Sequence, residues 1–418
     1  MSQNKKLDVY RGNELVGQLL EGQKLQFNYA DTWLEGGHQP ISPTLTFSSK
    51  QHSGLPVESF FENLLPEAAI RDLLKLKYQV STTFGLLAVI GGDTASDLMV
   101  LPENQKPDKA QYQAIEWADI LASFSNESGV VTRAREEGGL RISLAGAQRK
   151  QGVTIDKRGH LLLPLGNAAS THIVKPNIEG LDGVWASAVN ESFVMRLGAN
   201  IGLDVAKTFY EPTVKACVIE RYDRVQQQNQ IIEKIHQLDL CQIDGKTSGF
   251  KYESEGGPSL NRCYEFLKEY GVPAMDLKRF IEWMFFNLYV GNHDSHAKNL
   301  SIYFPGGGEP RLTPFYDLLC TDLYPGLSKT FAFAIGGENR PSHLTGENLK
   351  VMSEQLGVKE KYVIELGASV GVKILEQIEV VTQSFDEDSL VGTESTMVER
   401  LAQHIVSNTR KLQKRLSL

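Results

Sequence analysis

The pattern of apolar and polar positions near the start of the chain predicts a small unit of strands and helices. Residues 7–10 and 15–19 are rich in apolar side chains and flank Gly12-Asn13, which is typical of two strands joined by a tight turn. Residues 56–76 carry apolar side chains at helical intervals, and Pro66 divides them into two predicted helices because proline interrupts helical hydrogen bonding. We therefore expect an N-terminal α+β subdomain, followed by a polar linker.

Strand patterns dominate the middle of the chain, and helical patterns dominate the rest. The predicted strands lie at residues 140–144, 161–165, 171–175 and 214–222, with one predicted helix at 184–199. The strongest helical segment is 276–290. Its apolar stripe, which indicates deep burial, consists of Phe280, Ile281, Met284, Phe285 and Leu288. A strand-rich part followed by a helix-rich part is the outline of a two-lobed enzyme.

Composition narrows the possible function classes. The chain has 418 residues, of which 41% are hydrophobic and 22% charged, and its formal net charge is −8. Nucleic acid binding over the whole surface is therefore not expected, because phosphate binding needs a local excess of Lys and Arg. The four cysteines show no C-x-x-C spacing, and no apolar run has the length of a membrane span. We expect a cytoplasmic protein with reduced thiols and no membrane contact.

The segment after the strongest predicted helix is the most informative. Gly291 can end that helix, and residues 292–299 form a polar loop that leads into a strand, a triglycine turn and a return strand. Such a hairpin brings Asp294 and Asn299 near Asp317, and together they provide the hard oxygen ligands that Mg²⁺ prefers. Asp294 can also orient a hydroxyl and accept its proton. The five-residue spacing from Asp294 to Asn299 is that of protein kinases; a polar loop that only caps a helix is the alternative.

Two upstream residues fit the same pattern. Lys175 ends an otherwise apolar strand, where a buried ammonium needs an anion, and Glu191 lies on the apolar stripe of the predicted helix. We predict an ion pair between them; the alternative is two unconnected surface side chains.

Small side chains at 143–150 would let backbone N–H groups approach phosphate oxygens. The strand end at 218–224 would offer main-chain groups to an adenine, or would only form surface ion pairs.

Several short segments resemble the HipA family of bacterial toxin kinases. They are NLLPE (63–67), GGD (91–93), SLAGAQRK (143–150), THIVK (171–175), ERYDR (220–224), DSHAKN (294–299) and LTPFYDLL (312–319). They occur in the family's order along nearly the whole chain. The resemblance implies the α+β class and a two-lobed protein-kinase-like fold with an additional N-terminal α+β subdomain. It implies that subdomain at 1–110, a strand-rich nucleotide-binding lobe at 111–228, and a helical lobe with the catalytic loop and metal site at 229–418.

The resemblance also implies an ATP- and Mg²⁺-dependent serine/threonine kinase. Asp294 would be the catalytic base, supported by Lys175 and Glu191, and Asn299 and Asp317 would be the Mg²⁺ ligands. Ser143 would be an autophosphorylation site, where a phosphate would add about two negative charges beside the nucleotide. The implied nucleotide contacts are Ala145, Gly146, Ala147, Gln148, Arg149, Lys150, Lys175, Glu220, Arg221, Tyr222, His296, Ala297, Lys298, Asn299, Tyr316 and Asp317.

The family resemblance further implies a role as the toxin of a toxin–antitoxin pair. Such toxins phosphorylate a serine of an aminoacyl-tRNA synthetase, here expected to be of the glutamyl type, and so arrest translation. A helix-turn-helix antitoxin of the HipB type would restrain the kinase and bind operator DNA. An acidic kinase fits this assembly, because the antitoxin would supply most of the DNA contacts.

Two alternatives belong to other classes. Gly-Asn-His-Asp at 291–294 is also a motif of metal-dependent phosphoesterases, but the chain has no D-x-H before residue 291 and no G-H-x-H anywhere. The second alternative is a catalytically idle kinase-fold module that acts as an antitoxin-bound co-repressor on DNA. The presence of every expected catalytic residue type argues against it.

Overall fold

The first strands form an antiparallel hairpin, as predicted. In the computed structural model, which describes residues 5–125, 131, 144, 148–227, 232–385, 390 and 392–418, β1 (Lys6–Arg11) pairs with β2 (Glu14–Leu20). Gly12 makes the turn with a φ of +57°, a conformation that glycine adopts without steric cost. Three further strands, β3 (Gln26–Tyr29), β4 (Gln51–Ser53) and β5 (Leu98–Pro102), complete a sheet of order β4-β3-β2-β1-β5.

Four helices accompany this sheet. They are α1 (Asp31–Glu35), α2 (Leu55–Glu62), α3 (Ala68–Tyr78) and α4 (Thr83–Ile90). The predicted break at Pro66 is confirmed, since it lies between α2 and α3. Phe61 of α2 is fully buried, and its ring centroid lies 5.5 Å from that of Phe27 in β3. Such burial of large aromatic side chains is the main stabilising term of a small core.

Short strands and a few helices make up the next part of the chain. They are β6 (Gln111–Ala114), α5 (Trp117–Phe124), β7 (Gln151–Ile155), β8 (Leu161–Leu165), β9 (His172–Pro176), α6 (Ser187–Asn200), β10 (Thr208–Glu211), β11 (Ala216–Glu220), β12 (Arg224–Gln226), β13 (Ile232–Lys234), β14 (Gln237–Asp239) and α7 (Leu240–Ile243). The predicted strands at 161–165, 171–175 and 214–222 correspond to β8, β9 and β11. The predicted strand at 140–144 lies outside the described residues except for its last position.

Helix α6 begins three residues later than its apolar pattern predicts. Ala186 has a φ of +47°, which is not helical, and the side-chain oxygen of Asn177 accepts the N–H of Ala188 at 3.0 Å. The first turn of the helix is therefore capped from a distant residue, and periodicity alone does not reveal such a cap.

The remaining elements are mainly helical. They are α8 (Leu260–Glu269), α9 (Ala274–Val290), β15 (Ser301–Tyr303), β16 (Arg311–Leu312), α10 (Gly346–Leu356), α11 (Glu360–Ser384) and α12 (Thr393–Leu416). The predicted helix at 276–290 is α9, which begins two residues earlier. No helix among the described residues combines the length and apolarity that crossing a bilayer requires.

The contacts divide the chain into two compact units. The first comprises Met1–Ile173, Asp223–Phe250 and Tyr303–Gly308, and the second comprises Val174–Tyr222, Lys251–Ile302 and Glu309–Leu418. These units do not coincide with the segments 1–110, 111–228 and 229–418, which remain a prediction about domain organisation.

The core of the second unit is built around α9. Phe285 of this helix is fully buried, and a Cβ on Gly367 of α11 would lie 2.7 Å from its ring. Only glycine therefore permits this close approach of α11 to α9. Asn408 of α12 donates its side-chain amide to the carbonyls of Leu288 and Tyr289, both at 2.9 Å. These bonds serve two carbonyl groups in the last turn of α9, of which that of Leu288 also accepts the N–H of Gly291 at 3.3 Å.

The first unit contains a buried charge network around Asp93. This carboxylate is fully buried and accepts hydrogen bonds from the N–H and hydroxyl of Ser170, at 2.9 and 2.7 Å. It also pairs with Arg224 at 2.9 Å and with Lys234 at 3.0 Å. The Gly-Gly-Asp turn of the sequence thus supplies an anion that joins distant segments of this unit.

Replacing Asp93 by Ala should lower the free energy of unfolding by about 3 kcal/mol, because Arg224 and Lys234 would lose a buried counter-charge. Urea unfolding followed by fluorescence measures the loss. The matched control is Glu103→Ala, which removes an exposed pair with Lys6 at 3.4 Å and should cost less than about 1 kcal/mol. Equal losses for the two variants would contradict this account.

Candidate active site

The candidate site begins where α9 ends. Gly291 has a φ of +74°, and a Cβ at this position would lie 2.8 Å from the Cβ of Asp322. A glycine is therefore needed both for the left-handed turn and for the close approach. The predicted end of the helix at this residue is confirmed, and the polar loop leaves the helix at a fixed point.

Asn292 connects the residues of this loop. Its buried side chain donates to Oδ1 of Asn287 at 2.7 Å and to the carbonyl of Asp317 at 3.3 Å. Its own Oδ1 accepts the backbone N–H of Asp294 at 3.2 Å. Asn299 continues the chain by donating Nδ2 to the carbonyl of Asp294 at 3.1 Å. These bonds link the backbones of Asp294 and Asp317 and the side chain of Asn299, as the predicted hairpin requires.

The hairpin itself fixes the two loop ends side by side. The N–H of Thr313 donates to the carbonyl of Ser301 at 3.0 Å, which joins the two strands. Tyr316 donates its hydroxyl to the carbonyl of Lys298 at 2.9 Å. Because Lys298 precedes Asn299 and Tyr316 precedes Asp317, this bond holds the neighbours of both proposed Mg²⁺ ligands together.

The base of the hairpin is anchored to the start of α9. Asp276 is fully buried, accepts the N–H of Leu312 at 3.0 Å and pairs with Arg311 at 2.7 Å. Arg279, one turn further along, donates to the carbonyls of Leu312 and Thr313 at 3.2 and 3.1 Å. The helix thus positions the second strand, and with it the segment that leads to Asp317.

Lys175 lies between two carboxylates. Its Nζ donates to Oε1 of Glu191 at 2.7 Å and to Oδ1 of Asp317 at 2.6 Å. Lys175 is 5% and Glu191 1% exposed, so both charges are buried and depend on each other. Burial disfavours the charged ammonium, but Asp317 and then Glu191 outweigh it and raise the pKa of Lys175 above its ordinary value. The ion pair with Glu191 is present, as predicted, and the contact with Asp317 was not predicted.

Asp317 has a strained backbone conformation. Its φ is +59°, which costs a non-glycine residue on the order of 1–3 kcal/mol. The structure holds it through Asn292 and through the preceding Phe315, whose N–H donates to the carbonyl of Asp204 at 2.8 Å and whose carbonyl accepts the N–H of Ala206 at 2.9 Å. A third of the Asp317 side chain remains exposed, so it can reach a ligand.

Helix α6 is held against the segment that follows Asp317. The side chain of Asn190 donates to the carbonyl of Cys320 at 2.8 Å and to the hydroxyl of Tyr324 at 2.9 Å. Its Oδ1 accepts the N–H of Cys320 at 2.7 Å. Asn190 precedes Glu191, so these buried bonds fix the helix at the turn that carries the carboxylate.

The predicted base Asp294 has a partner that the sequence did not reveal. Tyr252 donates its hydroxyl to Oδ1 of Asp294. The ring of His296, a predicted nucleotide contact, meets the Tyr252 ring edge-on at a centroid distance of 5.2 Å. No sequence signal pointed to Tyr252, because it lies far from the loop along the chain.

The strand end at 218–224 approaches the hairpin through aromatic rings. Tyr222 and Tyr316 stack at a centroid distance of 5.8 Å. Arg221 is buried, whereas Glu220 is half-buried and pairs with Lys207 at 3.3 Å. The structure thus brings Tyr222 close to Tyr316, while Glu220 forms the surface ion pair that was the alternative. The nucleotide contacts proposed for these residues remain predictions.

The glycine-containing loop is only partly described. Ser143, Ala145, Gly146 and Ala147 lie outside the described residues. Gln148, Arg149 and Lys150 belong to the first unit, where they line a groove of about 430 Å³ together with α3 and α5. Arg149 donates to the carbonyl of Ser123 at 3.4 Å. All other predicted site residues belong to the second unit.

The donor set of the second unit suits one kind of metal site. Among the described residues, no group of three or more His, Cys, Asp or Glu side chains is arranged to hold a metal ion. Asp317 and Asn299 would instead offer one carboxylate and one amide. Such a small oxygen set suits Mg²⁺, which takes the rest of its ligands from water and phosphate oxygens. The residues present therefore fit a metal that arrives with a nucleotide.

The chain matches known proteins along most of its length. Residues 142–379 match the HipA-like C-terminal domain and residues 7–101 the HipA N-terminal domain. The "Putative kinase Y4mE" of Sinorhizobium fredii is 37% identical over 372 residues, which are 84% of this chain and 86% of that protein. The "Serine/threonine-protein kinase toxin HipA" of Shewanella oneidensis is 27% identical over 406 residues, 91% of each chain.

A solved structure shares the fold. In the complex of Shewanella oneidensis HipA with HipB and operator DNA, a chain with 24% identity superposes with a TM-score of 0.83 over 99% of each chain. The predicted α+β, kinase-like fold with its additional N-terminal subdomain is thereby confirmed.

Replacing Lys175 by Met should destabilise the protein by about 3–5 kcal/mol, because Glu191 would remain buried without a counter-charge. The double variant Lys175→Met/Glu191→Gln should recover part of the loss, since no buried charge is then left on the helix. Thermal unfolding measures both. The matched control is Lys350→Met, whose pair with Glu347 is exposed and should contribute less than about 1 kcal/mol. A Lys175 variant as stable as this control would contradict the prediction.

Proposed function

The chain belongs to the HipA family, and from that membership we propose that it is an ATP- and Mg²⁺-dependent serine/threonine protein kinase. One observation carries the proposal: the buried ammonium of Lys175 bridges Glu191 and Asp317, while Asn292 connects Asp317 to Asp294. A strand lysine, a helix glutamate, a loop aspartate and a metal-binding aspartate are the parts that phosphoryl transfer by kinases requires.

Each residue has a definite task in this proposal. Asp294 orients the acceptor hydroxyl and takes its proton as the new O–P bond forms and the bond from the γ-phosphorus to ADP breaks. Lys175, oriented by Glu191, binds phosphate oxygens of the nucleotide. Asn299 and Asp317 hold Mg²⁺, which neutralises phosphate charge when bound. Asp317 would hold the metal through the third of its side chain that stays exposed beside Lys175.

The nucleotide contacts belong to the same proposal. Tyr316, Tyr222 and the loop residues from His296 to Asn299 contact the nucleotide in the second unit, together with Glu220 and Arg221. By the same family resemblance, the segment from Ala145 to Lys150 is assigned to nucleotide binding, and Ser143 is the proposed site of autophosphorylation. A phosphate on Ser143 would repel the phosphates of ATP and so inhibit the enzyme.

The biological role proposed is that of a toxin restrained by an antitoxin. One relative bears the name of a serine/threonine-protein kinase toxin, and the solved Shewanella oneidensis complex contains HipB and operator DNA. By analogy, this chain would bind a helix-turn-helix antitoxin of the HipB type, through which it would reach operator DNA. Its substrate would be a serine of an aminoacyl-tRNA synthetase, of the glutamyl type, so that phosphorylation arrests translation.

Incubation of the native chain with Mg·ATP should add one phosphate, mapped to Ser143 by intact-mass and peptide spectrometry. Asp294→Ala should gain none, because the base that takes the acceptor proton is missing. The matched control is Asp182→Ala, which removes an exposed aspartate of the same unit and should leave the added mass unchanged.

The possible results separate the proposals. No added mass together with no ATP binding in calorimetry would contradict the kinase function and favour an idle co-repressor. No added mass with ATP bound would contradict only the assignment of Ser143. Added mass on Asp294→Ala would remove the role of Asp294.

The substrate proposal has its own test. Mixing the chain with glutamyl-tRNA synthetase and Mg·ATP should place a phosphate on one synthetase serine and abolish aminoacylation, and Asp294→Ala should do neither. Phosphorylation of Ser143 with an unmodified and active synthetase would refute this substrate and leave the kinase function intact.

A further inference from the structure

We propose that Tyr252 determines which acceptor reaches Asp294 and favours a protein hydroxyl over water, an inference that rests on the proposed kinase function. The Tyr252 hydroxyl donates to Oδ1 of Asp294, which is an oxygen of the proposed catalytic carboxylate. An acceptor whose proton passes to that oxygen must take the same position. The phenol hydroxyl therefore occupies the place of an acceptor hydroxyl.

The backbone around Tyr252 is fixed on both sides. The carbonyl of Lys251 accepts the N–H of Ala297 at 3.4 Å, which ties the segment to the loop of Asp294. On the other side, the carboxylate of Glu253 accepts the N–H of Ala334 at 2.8 Å. The carbonyl of Tyr252 itself accepts the N–H of Gly257 at 2.9 Å. The tyrosine thus projects from a defined turn, and its position over Asp294 is set by the fold.

The ring of Tyr252 also has a defined environment. The ring of His296, which is 4% exposed, stands nearly perpendicular to it at 82°. The ammonium of Lys251 lies 5.3 Å from the centroid of the Tyr252 ring, within the range of a cation–π contact. These contacts hold the ring whether or not its hydroxyl bonds to Asp294. A protein acceptor can consequently displace the hydroxyl without unfolding the turn.

Competition for one oxygen atom produces the selectivity. A hydrogen bond to a carboxylate is stronger than one between neutral groups, so displacing Tyr252 is costly. A water molecule gains one comparable bond and nothing else. A protein substrate adds binding energy from surfaces remote from the reacting hydroxyl, and that energy can drive the exchange. Tyr252 would thereby suppress ATP hydrolysis while permitting transfer to a docked protein.

Tyr252→Phe tests the inference, since it removes the hydroxyl and keeps the ring. Free phosphate and protein-bound phosphate are measured in the same reaction with Mg·ATP. We expect phosphate release by hydrolysis to rise about tenfold, as expected when a charged hydrogen bond of ordinary strength is lost. The KM for ATP should not change, because the substitution does not remove a proposed nucleotide contact. The double variant Tyr252→Phe/Asp294→Ala should show no increase in hydrolysis, because the attacking water still needs Asp294 to take its proton.

The matched control is Tyr289→Phe. Tyr289 is buried in the same unit and donates its hydroxyl to the carbonyl of Gly367 at 2.9 Å, away from Asp294. This variant should be less stable than the native chain and should show no increase in hydrolysis. A similar rise in both variants would indicate general loosening and would overturn the proposal.

The remaining outcomes separate this inference from the function on which it rests. Unchanged hydrolysis in Tyr252→Phe, with native phosphoryl transfer, would overturn the role of Tyr252 alone. Neither hydrolysis nor transfer by the native chain would overturn the kinase function and the inference together. Tyr252→Leu, which removes hydroxyl and ring, serves as the second variant and must also raise hydrolysis if the hydroxyl is the cause.

Discussion

The buried ammonium of Lys175 is the interaction on which the rest of the candidate site depends. A charge removed from water is tolerated only where counter-charges stand at hydrogen-bonding distance, and here two carboxylates do so. They come from helix α6 and from the segment after the hairpin. Because both must be present at once, the positions of strand, helix and hairpin are coupled. The asparagines Asn190 and Asn292 serve this coupling, since each joins one of the carboxylate-bearing segments to its surroundings.

The same coupling explains why an unfavourable backbone is retained at Asp317. A left-handed aspartate is not stable by itself, so the surrounding bonds must hold it. The bonds of Phe315 to Asp204 and Ala206 and the anchoring of the hairpin by Asp276 provide this support. The strain thus lies at a residue that contacts Lys175 and would also hold Mg²⁺.

The sequence predicted those residues of the candidate site that interrupt or follow a regular sequence pattern, and it did not predict the others. Glu191 was found because a carboxylate on an apolar helical stripe interrupts a regular period. The hairpin was found because strand, triglycine and strand follow one another directly. Asn292 was missed, since a polar residue in a polar loop breaks no pattern. Tyr252 was missed because its contact with Asp294 joins segments that are distant along the chain.

The fold was predictable to a similar extent. The strands β8, β9 and β11 and the helix α9 carry strong apolar patterns, and they were expected where they occur. Strands β7 (QGVTI) and β10 (TFYE) were not predicted, because each has only two apolar side chains, against four in β8 (LLLPL). The Lys175–Asp317 contact could not be predicted, since it depends on the left-handed backbone at Asp317.

The side-chain amide of Asn408 determines when, during synthesis of the chain, the end of α9 can receive its last support. This side chain, from helix α12, completes the last turn of α9, directly before the loop of Asn292 and Asp294. During synthesis the loop emerges from the ribosome long before α12 does. Until then the carbonyls of Leu288 and Tyr289 lack the side-chain amide of Asn408. In a nascent chain the loop that carries Asn292 and Asp294 is therefore present before α12 can support the end of α9, and the candidate site is complete only once α12 has been translated.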